Sequence, residues 1–246
     1  MELGGKSPNI VFDDADLEQA VFGAISGIFA ATGQTCIAGS RLLVQDSIHD
    51  AFVERLLAVA RTARMGDPMD PNTQVGPVTT PPQYQKVLEY IDIARSEGAK
   101  AVLGGEKGTA PECGKGWFVQ PTIFTDVRND MRIAQEEVFG PVLSVIRFTD
   151  EADALRIANG VRFGLAAAVW TRDIGRAVRM AEKLQAGTVW VNTYRAMSPM
   201  SPRQGYKNSG VGVEHGLESM HEYTHLKSVW INTDEDPVAD PFVMRG

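Results

Sequence analysis

Cys36 is the residue whose surroundings in this sequence best suit chemistry. It follows a long apolar stretch and lies among small and polar residues in TGQTCIAGSR, residues 32–41. Free cysteines are more often buried and inert than reactive, so residue type alone favours a structural role. The small neighbours nevertheless favour a tight turn in which a thiolate, the attacking form, can meet both backbone N–H groups and a substrate. The other cysteine, Cys113, lies in a loop rich in glycine, proline and lysine and is predicted to be an incidental surface thiol.

Carboxylates in two other segments could act together with such a thiol. Glu2 precedes an apolar residue and a glycine pair that allows close backbone approach, although a glutamate there is usually solvated. The segment QEEVFGP, residues 135–141, places Glu136 and Glu137 immediately before an apolar strand. In one interpretation, the two acids belong to a turn in which one of them has a buried partner. In the other, one carboxylate binds a ligand hydroxyl and Phe139 forms an aromatic wall beside it. The spacing leaves both interpretations open.

A short histidine pattern near the end of the sequence suggests metal chemistry but lacks the context for it. HEYTH, residues 221–225, matches the H-E-x-x-H pattern that binds zinc when both histidines lie on one face of a helix. Here an apolar run follows at once and favours a strand, so no metal site is predicted. The sequence also lacks a G-x-G-x-x-G turn between a strand and a helix, a Walker A loop and a G-x-S-x-G elbow.

The composition is that of a globular protein with a sizeable core. The 246 residues are 43% hydrophobic and carry a formal net charge of −7. Without a lysine- or arginine-rich block, a nucleic acid partner is not expected. Two distant cysteines do not form a disulfide framework, which favours a reducing compartment. The most apolar run, residues 20–33, is too short to span a bilayer, and no signal peptide is recognisable, so we predict a cytoplasmic protein without a membrane partner.

The order of the elements predicts an α/β fold. Continuous apolar runs predict strands at residues 9–12, 41–45, 99–105, 117–127, 141–148, 166–171, 187–192 and 225–232. Amphipathic or capped segments predict helices at residues 14–32, 47–64, 82–97, 150–161 and 173–186, with a loop at 66–83. Strands and helices that alternate in this way indicate a mostly parallel sheet covered by helices on both faces. In such folds we expect the chemistry at the carboxyl ends of the strands.

Several segments together, in register, resemble the aldehyde dehydrogenase superfamily, specifically its catalytic C-terminal half. The resemblance rests on MELGGKSPNIVFDDADLEQA, GQTCIAGSR, EEVFGPVLSV, NGVRFGLAAAVWTRD, GTVWVN and GYKNSGVGVEHG, which occur in family order and cover nearly the whole chain. The resemblance implies that an aldehyde is oxidised to a carboxylic acid with NAD or NADP as the cofactor. Cys36 would be the nucleophile that forms a thiohemiacetal and then a thioester. Glu2 would be the general base that activates the hydrolytic water.

The same resemblance implies four cofactor-binding residues. Glu137 would bind the hydroxyls of the nicotinamide ribose, and Phe139 would lie beside the nicotinamide ring. Gln83 and Lys86, in PPQYQKVL, would lie near the cofactor.

Two departures from the family pattern affect these expectations. Members of the family are about twice as long, so we expect this chain to lack the Rossmann-type cofactor domain and the asparagine that this domain adds to the oxyanion hole. In MSPRQGYKNSG, Arg203 and Gln204 stand where the family usually has an aromatic or other apolar residue and a glycine. An arginine there either changes the substrate preference towards an anion or damages the site.

We therefore predict a catalytic domain over residues 1–208 and a C-terminal segment over 209–246, with an oligomerisation-type strand near 225–232. The expected partners are a small-molecule aldehyde and either further copies of this chain, in a homo-oligomer, or a companion cofactor domain. The alternative is a truncated or pseudo-enzyme that serves in assembly or retains only a thiol esterase activity.

Overall fold

The computed structural model describes residues 3–233, 235 and 242. The strands are β1 (Pro8–Val11), β2 (Arg41–Gln45), β3 (Lys100–Leu103), β4 (Thr122–Thr125), β5 (Val142–Phe148), β6 (Phe163–Gly164), β7 (Ala166–Trp170), β8 (Thr188–Val191), β9 (Arg203–Gln204), β10 (Tyr206–Lys207) and β11 (Val213–Glu214). The α-helices are α1 (Leu17–Phe29), α2 (His49–Ala60), α3 (Pro81–Ser96), α4 (Arg132–Gln135), α5 (Glu151–Asn159) and α6 (Ile174–Lys183). Short 3₁₀ helices span Ala30–Gly33, Asp46–Ile48, Pro111–Cys113 and Glu218–Tyr223.

Within the described residues, a seven-stranded sheet has the order β3-β4-β5-β2-β1-β7-β8. All neighbouring strands run parallel except β3, which pairs antiparallel with β4. Successive residues of the central strands point into separate cores. Ile10 and Leu43 pack with the buried faces of α3, α5 and α6, whereas Val11 and Leu42 pack with those of α1 and α2. The predicted α/β fold, with a mostly parallel sheet covered on both faces, is confirmed.

The first helix ends earlier than the sequence predicts. Asp16 caps α1 by accepting a hydrogen bond from the Gln19 backbone N–H at 3.1 Å. The helix stops at Phe29 rather than near Thr32, because Ala31 and Thr32 adopt left-handed backbone conformations within the following 3₁₀ turn. This tight turn leads the chain directly towards Cys36.

The strand predicted at residues 225–232 does not form within this chain. Residues 224–233 make no ladder with any described strand, and the side chain of Trp230 is 93% exposed. An apolar run becomes a strand only where a neighbouring strand accepts its backbone hydrogen bonds. The proposed oligomerisation role of this segment remains a prediction. None of the described helices is both long enough and apolar enough to cross a membrane.

Candidate active site

The candidate site residues gather at the amino ends of the parallel strands. Gly5 lies just before β1, Cys36 before β2, and Phe139 before β5. Parallel strands begin at the same edge of the sheet, so these loops meet there. The chemistry was expected at the carboxyl ends of the strands, whereas these candidate residues lie at the amino ends. The cause of this difference is local: the segments that carry the candidate residues lead into strands rather than out of them.

Cys36 occupies a turn that neighbouring side chains hold in place. The turn closes through the Ala38 N–H, which donates to the Thr35 carbonyl at 3.0 Å. The Tyr194 hydroxyl donates to the Ile37 carbonyl at 2.8 Å, and burial raises the pKa of that hydroxyl, which keeps it protonated. Cys36 itself is half-buried and packs against the apolar cluster that contains Ile37. The backbone of the Cys36 turn is thus held in place, and the residue is partly exposed to solvent.

The glycine pair before β1 passes close to this turn. A Cβ atom on Gly5 would lie 2.3 Å from the Cys36 carbonyl oxygen, and one on Gly4 would lie 2.5 Å from the Glu137 Oε2 atom. Only glycine permits both approaches. Glu2, the predicted general base, lies outside the described residues. The neighbouring Leu3 is placed by its N–H, which donates to the Ser209 carbonyl at 3.1 Å.

The structure separates the roles of the two adjacent glutamates. Glu136 pairs with Arg132 at 2.9 Å and accepts a hydrogen bond from the Tyr90 hydroxyl, and these contacts lower the pKa of Glu136 to about 2. Glu137 instead accepts a hydrogen bond from the Gly5 N–H at 3.0 Å on the side of Cys36. Glu136 is therefore the structural partner of the pair, and Glu137 is the carboxylate available to a ligand.

Glu137 and Phe139 line a narrow cleft, which we call the carboxylate cleft. Thr35, the neighbour of Cys36, lines the same cleft. Phe139 has a positive φ of 58°, a conformation that a bulky residue rarely adopts and that surrounding contacts must hold. Gln83 supplies such contacts, because its side-chain amide donates to the Val138 and Phe139 carbonyls at 2.7 and 2.9 Å.

The two residues predicted on α3 thus lie in different surroundings. Gln83 supports the backbone of the carboxylate cleft and is not among the residues that line it. The Lys86 Nζ atom lies 5.9 Å from the centre of the Tyr90 ring, on the side of the Glu136 ion pair. Cofactor binding by Gln83 and by Lys86 therefore stays a prediction.

Ile37, which follows Cys36 in the chain, lines a further narrow cleft, which we call the arginine cleft. It is lined by Ile37, Leu165, Thr188, Arg203, Gln204, Gly205, Gly212 and Glu214. Thr35 lines the carboxylate cleft and Ile37 lines the arginine cleft, so Cys36 is the residue between them in the chain.

Two buried cations near the site were missed by the sequence interpretation. Lys6 is 2% exposed, its Nζ atom has no hydrogen-bond partner among the described residues, and burial is the main cause that lowers its pKa to about 7. Arg41 donates to the carbonyls of Lys6, Ile157 and Ala158 at 2.9, 2.9 and 2.7 Å. The signal was available: a charged residue stands at or directly before each of the apolar strands β1 and β2.

Cys113 and the histidine pattern differ from the candidate site. Cys113 is buried rather than at the surface, with 4% exposure, and burial raises the pKa of its thiol. The prediction of a surface thiol was wrong, because the loop folds back over it. Residues 218–223 form a 3₁₀ helix, so the H-E-x-x-H pattern is not on an α-helix. The part of the chain that the structure describes has no group of three or more potential metal ligands of the His, Cys, Asp or Glu type.

A cysteine turn at the amino edge of a parallel sheet, beside a cleft with a carboxylate and an aromatic ring, agrees with the sequence resemblance. The chain belongs to the aldehyde dehydrogenase family, whose family model matches residues 1–229. It is 48% identical over 242 residues to a betaine aldehyde dehydrogenase of Mesorhizobium japonicum, covering 98% of this chain and 49% of that protein. It is 46% identical to an aldehyde dehydrogenase of Emericella nidulans, covering 93% of this chain and 45% of that protein.

Solved structures agree with the sequence relatives. A betaine aldehyde dehydrogenase from Staphylococcus aureus, crystallised with NAD+, superposes with a TM-score of 0.94 at 44% identity, covering 96% of this chain and 48% of that one. An indole-3-acetaldehyde dehydrogenase in complex with NAD+ superposes with a TM-score of 0.90 at 47% identity, covering 94% of this chain and 46% of that one. The chain therefore spans about half the length of the relatives it matches.

Proposed function

We propose that this chain is the catalytic part of an NAD(P)+-dependent aldehyde dehydrogenase that oxidises an aldehyde to a carboxylic acid through Cys36. The observation that carries the proposal is that the two residues flanking Cys36 line different clefts, Thr35 the carboxylate cleft and Ile37 the arginine cleft. The reaction needs a nucleophile that meets an aldehyde on one side and a nicotinamide on the other. The chain's membership of the family supports the same activity.

Cys36 begins the reaction as its thiolate. The sulfur attacks the aldehyde carbonyl carbon, a C–S bond forms, and the carbonyl oxygen becomes the oxyanion of a thiohemiacetal. Free thiols have a pKa near ~8.5, so a small fraction is ionised at neutral pH and available for the attack. The Tyr194 contact keeps the turn, and hence the direction of attack, fixed.

The residues of the carboxylate cleft suit the nicotinamide riboside end of the cofactor. Glu137 is an acceptor of the type that binds ribose hydroxyls, and Phe139 offers an aromatic ring on the same wall. When bound, the cofactor supplies the acceptor for the hydride that the thiohemiacetal carbon loses. The S. aureus relative was crystallised with NAD+, which supports NAD+ over NADP+ as the cofactor of this chain. Gln83 acts by holding the carbonyls of Val138 and Phe139.

The last step releases the acid from Cys36. Water attacks the thioester carbon, the C–S bond breaks, and the thiol is restored as the carboxylic acid leaves. The family resemblance implies that Glu2 is the general base that activates this water. The described residues that follow it, Gly4 and Gly5, run beside Glu137 and the Cys36 carbonyl.

The substrate, location and partners belong to the same proposal. Betaine aldehyde, a quaternary ammonium compound, is one candidate substrate, because several relatives are named betaine aldehyde dehydrogenases. We propose a cytoplasmic protein that works as a homo-oligomer or with a companion cofactor domain. The assembly-only alternative is less well supported than the enzyme, because it leaves the arrangement of Cys36, Glu137 and Phe139 unexplained.

An activated ester tests the nucleophile without any cofactor. Incubation of the chain with p-nitrophenyl acetate is expected to leave one acetyl group on Cys36, which intact and peptide mass spectrometry detect. Cys36→Ala should lose this acetylation, and Cys113→Ser should keep it, because Cys113 is buried and its pKa is raised. Equal acetylation of the native chain and of Cys36→Ala would contradict the proposal.

A further inference from the structure

The peptide that joins Gly4 to Gly5 carries the contact that holds the Glu137 carboxylate. Its N–H, on Gly5, donates to the Glu137 Oε1 atom at 3.0 Å. The other carboxylate oxygen, Oε2, is the atom that a Cβ on Gly4 would approach to 2.5 Å. The carboxylate thus lies directly against this peptide. Because a carboxylate offers about four acceptor sites, the Gly5 contact leaves room for the hydroxyl groups of a ligand.

The carbonyl of this trans peptide points away from its N–H and is held by Ser209. Ser209 is fully buried. Its hydroxyl donates to the Gly4 carbonyl at 2.7 Å and accepts from the Gly164 N–H at 3.0 Å. Hydrogen bonds therefore run in one direction, from Gly164 through the Ser209 hydroxyl and the Gly4–Gly5 peptide to Glu137. The bonds in such a chain polarise and strengthen one another.

Ser209 is itself held in place by contacts that do not involve the Gly4–Gly5 peptide. Its N–H donates to the Tyr206 carbonyl at 3.0 Å, and Tyr206 lies opposite Gly164 in the β6–β10 ladder. The next residue of β10, Lys207, anchors the strand to the end of α5, because its Nζ atom donates to the Asn159 carbonyl at 2.7 Å. The Ser209 hydroxyl therefore acts on the peptide from a fixed support.

We propose that Ser209 is a positioning residue for Glu137, because its hydroxyl fixes the peptide whose N–H sets the direction of the carboxylate. Neither Gly4 nor Gly5 has a side chain that restricts the rotation of this peptide, so the hydroxyl supplies the restraint. A carboxylate with a fixed direction binds the two hydroxyls of a ribose better than one that swings. The hydrogen bonds alone support the positioning, whereas its consequence for ribose binding rests on the function proposed above.

Hydrogen exchange at the Gly5 amide measures the positioning without any ligand. In ¹H–¹⁵N spectra of the full chain, Ser209→Ala is expected to raise the Gly5 exchange rate about tenfold, the effect of one lost hydrogen bond. Glu137→Ala should raise this rate as well. Adding Ser209→Ala to Glu137→Ala should then raise it less than about twofold further, because the two contacts act as one unit. The Ala38 N–H, which closes the Cys36 turn, should keep its exchange rate in Ser209→Ala.

Two pyridinium ligands measure the consequence for ribose binding. Nicotinamide mononucleotide carries a ribose with two free ring hydroxyls, whereas 1-methylnicotinamide has the same ring without the ribose. Their dissociation constants are obtained from the shift of the Phe139 amide signal during titration. Ser209→Ala is expected to raise the constant of nicotinamide mononucleotide about fivefold and to change that of 1-methylnicotinamide less than about twofold. Ser144→Ala is the matched control at another fully buried serine, whose hydroxyl donates to the Ile133 carbonyl, and should change neither constant.

The outcomes separate the positioning role of Ser209 from the proposed function. If Ser209→Ala leaves the Gly5 exchange rate unchanged, or raises the Ala38 rate equally, the positioning role is overturned. If the Gly5 rate responds as expected but nicotinamide mononucleotide does not bind the native chain, Ser209 still positions Glu137 and the proposed cofactor role of the carboxylate cleft fails. If both ligands bind and Ser209→Ala weakens them equally or not at all, the consequence for ribose binding is overturned.

Discussion

Lys6 shows how one buried side chain connects the site to the stability of the chain. Burial of its amine and the nearby Arg41 lower the pKa of Lys6, and Glu137 opposes them only in part. The unfolded chain holds this proton up to a pKa near 10.5, whereas the folded chain releases it near 7. Between pH 7 and 10.5 folding therefore releases a proton from the Lys6 amine. The charge on Lys6 destabilises the folded chain fully below pH 7 and progressively less as the pH rises above 7.

The Lys6→Met variant tests this pH dependence. At pH about 6 the free energy of unfolding should rise by a few kcal/mol relative to the native chain, since one pKa unit is worth about 1.4 kcal/mol. At pH about 9.5 the difference should shrink, because the folded native chain has by then lost the proton. Urea unfolding at both pH values measures the difference. Lys86→Met is the matched control at a half-buried lysine. A difference in free energy of unfolding between Lys6→Met and the native chain that is the same at both pH values would contradict the account.

At the scale of elements, the turn after α1 couples the nucleophile to the carboxylate cleft. Gly33 has a φ of +68°, and a Cβ atom there would lie 2.1 Å from the Gly140 carbonyl oxygen. Gly140 follows Phe139, so Gly33 is the point where the Cys36 segment and the Glu137 segment touch. Neither segment can shift without moving the other.

The Gly33→Ala variant is expected to disturb both stability and chemistry. It should lower the free energy of unfolding by roughly 2 to 4 kcal/mol, because the new methyl group meets backbone that cannot rotate away. Acetylation of Cys36 should slow in the same variant. Gly98→Ala is the control: Gly98 also has a positive φ, but a Cβ atom there meets nothing within 4 Å. Similar losses in the two variants would show that the contact with Gly140 is unimportant.

The sequence predicts elements well where their own residues decide the outcome. The apolar runs of β2, β5 and β7 and the cap at Asp16 are local signals, and the structure has the corresponding elements. The run at 225–232 forms no ladder within the described residues, because its pattern does not reveal whether a partner strand is present. Cys36 and Glu137 could be singled out from motifs, but their meeting at the amino edge of the sheet depends on the order of strands in space. The unpartnered charge of Lys6 depends equally on tertiary burial.

At the scale of the whole molecule, the C-terminal segment presents apolar side chains to solvent. Leu226, Val229 and Trp230 are all largely exposed and lie in the segment predicted for oligomerisation. Exposed apolar groups grouped in this way usually mark an interaction surface. We expect light scattering to show an assembly larger than one chain.

The matched variant for this prediction is Trp230→Glu, which should shift the population towards monomers while leaving acetylation of Cys36 unchanged in rate. Trp117→Glu, at an exposed tryptophan outside this segment, should leave the assembly intact. A native chain that scatters light as a clean monomer would remove the oligomerisation role from the account.

The central claim is that Cys36 attacks an aldehyde, and the bond itself can be observed. Carbon NMR of an aldehyde labelled with ¹³C at its carbonyl is expected to show a thiohemiacetal resonance when the native chain is added. The resonance should persist in Cys113→Ser and disappear in Cys36→Ala. An aldehyde spectrum that the native chain leaves unchanged, or a thiohemiacetal that survives in Cys36→Ala, would contradict the assignment of Cys36 as the nucleophile.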